Sequence, residues 1–155
     1  MGGGGLLIAP LDVEECWARL RSATLGRVAI SVGALPVILP VFFTVVDRSV
    51  VFRSTPGTKL AAATSGMVVA FEADGFQPTE QEGWSVLIQG VSRGVDEPAQ
   101  LAELRTLSLP HVGGYRQDGF VSITASRITG RVIRPAADPS ALPEAPPAPA
   151  AAVQT

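Results

Sequence analysis

The sequence predicts a mainly β chain, folded as an antiparallel barrel with a few short helices. Three observations carry that reading. Apolar residues recur with the period of strands in most segments and with helical period in only two or three. Successive β-like segments meet in hairpins rather than in regular βαβ units, which disfavours a doubly wound sheet. The apolar share of 46% against 17% charged residues is that of a chain with a packed core, and 155 residues fit one domain.

Residues 1–10, with Gly2 to Gly5 at their head, read as a flexible leader. Asp12 is a good helix N-cap, with Glu14 and Glu15 in the first turn where the helix dipole favours acids. Leu11, Cys16, Leu20 and Ala23 follow at helical spacing, and Gly26 is placed to stop the helix. Cys16 reads as a small buried hydrophobe. Arg27 to Val32 is a short strand. Pro36 to Val46 and Ser49 to Arg53 flank a turn at Asp47-Arg48 and form a hairpin. Pro56 to Ser65 suits a short helix, Met67 to Ala73 a nearly continuous apolar strand, and Trp84 to Val95 a long one. Glu97 or Pro98 opens a helix through Leu107. Gly119 to Ser126 alternates as a strand, and Arg127 to Ile133 adds a last one. The body is residues 11–134. Residues 135–155, almost all Pro and Ala, read as a disordered tail.

Charge and composition exclude several functions. The net charge is −2, and the tail supplies it through Asp138 and Glu144, so the body is neutral. A neutral body with one lysine carries no footprint for nucleic acid or for an anionic membrane. One cysteine and one histidine build neither a disulfide nor a Cys/His zinc site. No secretory signal is visible and the longest apolar run, Pro36 to Val46, is too short to span a bilayer. The chain reads as cytoplasmic.

The most informative segment for chemistry is Arg53-Ser54-Thr55-Pro56-Gly57-Thr58-Lys59. A strand delivers Arg53, and Thr58 and Lys59 follow a turn at a helix start. Two cations, several hydroxyls and free helix N–H groups are what a phosphate monoester needs. The same residues also suit a polar surface turn with an ordinary helix cap. Glu82 to Gly90 offers Trp84 to stack on a ring and Ser85 to hydrogen-bond to one, or simply opens a strand. His111, in a Leu-Pro-His-Val-Gly-Gly loop, is a weak catalytic candidate without a visible triad partner. GxGxxG, GxSxG and HExxH are absent, against dinucleotide dehydrogenases, α/β-hydrolases and zincins.

Taken in order, the segments resemble the pyridoxamine 5′-phosphate oxidase-like family of flavin-binding split barrels, in its branch of nitroimidazole-resistance-type reductases. The resemblance runs over about residues 11–134. It is carried by Leu25-Gly26-Arg27-Val28-Ala29, Pro40-Val41, Val51-Phe52-Arg53, Gly57-Thr58-Lys59-Leu60, Val69-Ala70-Phe71-Glu72, Gly83-Trp84-Ser85-Val86 and Ile128-Thr129-Gly130-Arg131-Val132-Ile133. It implies a six-stranded split β-barrel that dimerises, with one FMN in each of two clefts between protomers. By the family's pattern, Arg53, Ser54, Thr58 and Lys59 would hold the phosphate and ribityl chain. The backbone around Val41, Phe42 and Val51 to Phe52 would line the flavin ring, and Trp84 and Ser85 would complete the cleft, across the dimer.

The sequence departs from the family at Phe42, where an asparagine is common, and at His111, where Pro-Trp is common. The arginine-bearing signature for vitamin B6 substrates is not visible. The resemblance therefore implies an FMN oxidoreductase that takes electrons from a reduced nicotinamide, NAD(P)H, and passes them to a small organic acceptor. A flavin, F420 or haem carrier without turnover is the alternative.

Overall fold

The structure is a computed structural model that describes residues 5–55, 61, 65–110 and 118–136. In chain order these form β1 (Leu6–Leu11), α1 (Val13–Ser22), β2 (Leu25–Val32), β3 (Leu35–Val46), β4 (Ser49–Ser54), β5 (Val68–Gln77), β6 (Glu82–Gly94), α2 (Pro98–Thr106) and β7 (Gly119–Pro135). All strand pairings are antiparallel. Six strands close a ring in the order β7-β4-β3-β2-β5-β6, with β6 returning to β7, and β1 extends the sheet from β7. The barrel expected from the sequence is therefore present.

The leader is shorter than the sequence suggested. Leu6 to Leu11 pair with β7 from Pro135 to Gly130. Leu7, Ala9 and Leu11 are half-buried, whereas Leu6, Ile8 and Pro10 are exposed. That alternation is a strand signal, but it is short and stands directly behind four glycines. The expected tail residues from 137 onward, the helix over most of 56–65 and the loop of His111 lie outside the described residues.

Asp12 starts α1 through a complete capping box. Its side chain accepts from the Glu15 N–H at 2.8 Å, and the Glu15 carboxylate accepts from the Asp12 N–H at 2.8 Å. The buried face of the helix is Cys16, Trp17 and Leu20; the spacing predicted Cys16 and Leu20 but not Trp17, while Leu11 belongs to β1 and Ala23 is the C-cap. Replacing Asp12 with alanine is expected to cost about 0.5–2 kcal/mol, read by urea denaturation. Glu15→Gln should cost less, because the amide keeps an acceptor for the cap.

Gly26 does not stop the helix, which ends at Ser22; it lies inside β2. A Cβ there would run into the ring of Phe71, so glycine is needed for β2 and β5 to lie this close around that ring. The hairpin turn at Asp47-Arg48 is as expected, with Asp47 in the left-handed region at φ 52°.

The two terminal strands read from the sequence are one strand, β7. Its register against β6 slips between Gln89 and Gly90, which pair with Arg127 and Ala125 and leave Ser126 as an extra residue. A bulge reverses the facing of every later side chain. Accordingly Val121, Ile123 and Ala125 turn inward before it, and Ile128, Gly130 and Val132 after it. The break in alternation that looked like a strand boundary is this reversal.

The interior is filled by Trp17, Leu20, Val28, Phe43, Phe52, Phe71, Ile88 and Ile123, among others. A second, smaller cluster lies outside the barrel wall, where Leu101 and Leu104 of α2 cover Val51, Val95, Leu109 and Phe120.

Candidate functional site

Strand β4 ends at the segment singled out for phosphate chemistry. Arg53 pairs with Phe120 across the sheet. Its Nε donates to the Leu109 carbonyl at 3.2 Å, and its guanidinium carbon sits 5.0 Å from the centre of the Phe120 ring. These contacts hold the half-buried side chain against the outer cluster. Ser54 is buried, and its Oγ has no hydrogen-bond partner. An unsatisfied buried hydroxyl costs free energy unless something supplies the missing bond.

Ser54 lines a cavity of about 320 Å³ between the ends of β4 and β6 and the start of β7. Val95, Leu101, Phe120 and Val121 form its apolar wall, and Asp96, Asp118 and Ser65 its polar groups. None of these except Ser54 was singled out in the sequence. Asp96 and Asp118 stand at strand ends with no neighbouring motif, and only the barrel closure brings them together. Thr58, Lys59 and His111 lie outside the described residues.

The remaining candidates are placed differently. The side chains of Val41 and Phe52 are in the core and Phe52 is wholly buried, so neither side chain meets a ligand. Trp84 and Ser85 begin β6, whereas Gly94, at its far end, lines the cavity. Ten residues of strand separate them by roughly 30 Å. Within one chain, then, Arg53 and Ser54 are not brought together with Trp84 and Ser85. Trp84 instead borders a smaller cavity of about 190 Å³ with Arg19, Phe76, Glu80 and Glu82.

Phe42 and Ser85 do share a surface, the outer face of β3, β2, β5 and β6. The outward row Ile38, Ala29, Ala70 and Gln89 runs across it in register. Ile38 is 66% exposed and Val68 75%, and the next outward row on the face is Pro40, Arg27, Glu72 and Leu87. One shallow depression there is lined by Ile38, Ala29, Ala70 and Leu87 together with Arg27 and Glu72, and one alongside by Pro36, Val68, Ser31 and Gln89. Between the row of Pro40 and Leu87 and the one holding Phe42 and Ser85, Arg27 bridges Glu72 at 3.1 Å and Asp74 at 3.0 Å. Burial, then the nearby Asp74 charge, pushes the Glu72 carboxyl above its ordinary range, while Arg27 opposes the shift. Among the described residues no cluster of His, Cys, Asp and Glu could hold a metal ion, and no helix is long and apolar enough to cross a membrane.

The family model for pyridoxamine 5′-phosphate oxidase matches residues 12–132. An uncharacterised protein of Mycobacterium tuberculosis is 37% identical over 128 residues, which cover 79% of this chain and 84% of that protein. The structure of the FAD binding protein from Mycobacterium smegmatis is similar with a TM-score of 0.71 at 38% identity, covering 81% of this chain and 98% of that one. A conserved protein of unknown function from Corynebacterium diphtheriae gives a TM-score of 0.65 at 27% identity, over 80% and 96% of the two chains.

Proposed function

Since this chain belongs to the pyridoxamine 5′-phosphate oxidase family, we propose that it binds a flavin nucleotide at the end of β4 and, as a homodimer, passes electrons from a reduced nicotinamide to a small organic acceptor. The observation that carries the reading is Ser54, a buried hydroxyl without a partner, next to Arg53 and beside a cavity. The residues fit the group. Arg53 supplies a cation already oriented by Leu109 and Phe120, and Ser54 supplies a hydrogen bond that nothing else in the described chain uses. The FAD binding protein of M. smegmatis, at 38% identity, makes a flavin the natural occupant.

When bound, the flavin supplies the hydride and electron chemistry. The chain's part is to grip the phosphate, to hold the ring against strand backbone and to keep the reacting face dry. No acid–base triad is required for that division of labour.

The apolar patch on the sheet face supports the homodimer. Ile38 at 66% and Val68 at 75% exposure stand on that face beside Ala29 and Ala70, an apolar patch that a partner copy would cover. Phe42 and Ser85 lie on that face, so a second copy docked there would sandwich them in the cleft. It would also bring a partner's β6 to the residues that one chain keeps apart.

The absorbance spectrum of the purified protein tests the reading. Flavin bands that bleach on adding a reduced nicotinamide are expected. A Soret band would assign haem instead, and colour that does not bleach would assign a carrier. Replacing Lys59 with alanine should weaken FMN binding by about one to two decades, because a charge-assisted phosphate bond is lost. Riboflavin, which lacks the phosphate, should bind both proteins alike. Equal weakening of FMN and riboflavin would place Lys59 at the ring or in the fold.

A further inference from the structure

We propose that the pairing of two copies through the sheet face is coupled to proton uptake at Glu72, so that the dimer tightens as the pH falls. The inference rests on the homodimer read above and gives its interface a regulation by acid.

Arg27, Glu72 and Asp74 form a cluster with one cation for two carboxylates. A single nitrogen, Nη1 of Arg27, donates to Glu72 Oε2 at 3.1 Å and to Asp74 Oδ1 at 3.0 Å. With both carboxyls ionised, one negative charge is left over. The cluster is part of the apolar patch, because Arg27 and Glu72 line the same depression as Ile38, Ala29 and Ala70. A second copy that covers the patch therefore covers Glu72 as well. Among the described residues, the other charges turned to this side are Arg127 and Arg131 on β7 and Arg93 near the end of β6. Gln89 and Ser85 of β6 stand between those two β7 arginines and β5. None of the three arginines forms an ion pair with Glu72 or Asp74.

In a free protomer water screens the surplus charge, since the Glu72 side chain is 33% exposed and that of Asp74 53%. Docking removes that water. It also sets a second, identical cluster in the same interface, because a two-fold contact uses one patch on both subunits. A buried charge without compensation is expensive, and a carboxylate escapes the cost by binding a proton. Glu72 is the group that takes it. It is the less exposed of the two, and burial already pushes it above its ordinary range, with Asp74 adding to the shift. Protonated Glu72 still offers Arg27 an acceptor, and Arg27 and Asp74 then cancel. A carboxyl with a higher pKa in the dimer than in the protomer draws a proton on association. The dimer is therefore favoured at low pH and weakens as the pH rises through the dimer's value.

The dimer dissociation constant of the full chain is measured by sedimentation at about pH 5.5 and about pH 8, for the wild type and Glu72→Gln. The amide keeps the shape of the protonated carboxyl and carries no charge at either pH, and an unchanged melting temperature verifies the fold. The wild-type constant is expected to be at least about tenfold lower at the acidic pH, because each copy takes up a proton. Glu72→Gln should be tight at both, within about threefold of the acidic wild-type value. Any other titrating group, the single histidine His111 included, would leave the pH dependence in place in the variant. Heats of dilution in two buffers of different ionisation enthalpy count the protons without a variant. Up to about one proton per copy should be released as the wild-type dimer dissociates. A wild-type constant that is flat or rises in acid, a variant as pH-dependent as the wild type, or no proton release overturns the inference and leaves the dimer standing. A wild type that is monomeric at micromolar concentration at both pH values removes the dimer, and this inference with it.

Discussion

Replacing Phe71 with alanine is expected to destabilise the fold by about 3–5 kcal/mol. The ring is fully buried at the centre of the barrel. It meets Phe43 edge to face, with centroids 4.8 Å apart and planes at 68°, and it fills the space left by the missing side chain of Gly26. Its loss therefore opens a cavity against three strands, β2, β3 and β5. Backbones held by antiparallel pairing cannot collapse into that cavity freely. Denaturation in urea should show an unchanged slope and a lower midpoint. Phe71→Leu should recover most of the difference. A cost below about 1 kcal/mol for the alanine variant would mean that the ring is not a keystone of the packing.

Introducing Ile38→Glu together with Val68→Glu is expected to convert the proposed dimer to a folded monomer. Both side chains are exposed on β3 and β5, so the charges cost a single protomer little. In a dimer joined through this face each would be desolvated among apolar partners and repelled by the other. The dimer dissociation constant should rise by roughly two to three decades. Sedimentation velocity at micromolar concentration reads the change, and an unaltered far-ultraviolet spectrum verifies the fold. A wild type that already sediments as a monomer would remove the proposed cleft. A double variant that remains dimeric would move the interface to another face.

Local signals carried most of the fold. Asp12 with Glu15, the turn at Asp47, and Glu97 ahead of Pro98 are contacts between near neighbours, and each appears as read. What escaped is non-local. The role of Gly26 depends on the ring of Phe71, far along the chain. The reversal at Ser126 depends on Gly90, where any Cβ would strike the Thr124 carbonyl. The candidate site divides the same way. Arg53 and Ser54 stood out because cations and hydroxyls cluster in sequence. Asp96, Leu101 and Phe120 did not, because they become neighbours only when β4, β6 and β7 meet.

The last strand imposes an order on biosynthesis. β7 is the common partner of β1, β4 and β6, and its final residues pair with the first strand of the chain. Until it emerges from the ribosome, β4 and β6 each lack one neighbour and the barrel cannot close. A nascent chain must therefore carry its apolar strands unclosed until β7 has been made. Such long-range pairing folds slowly once it starts.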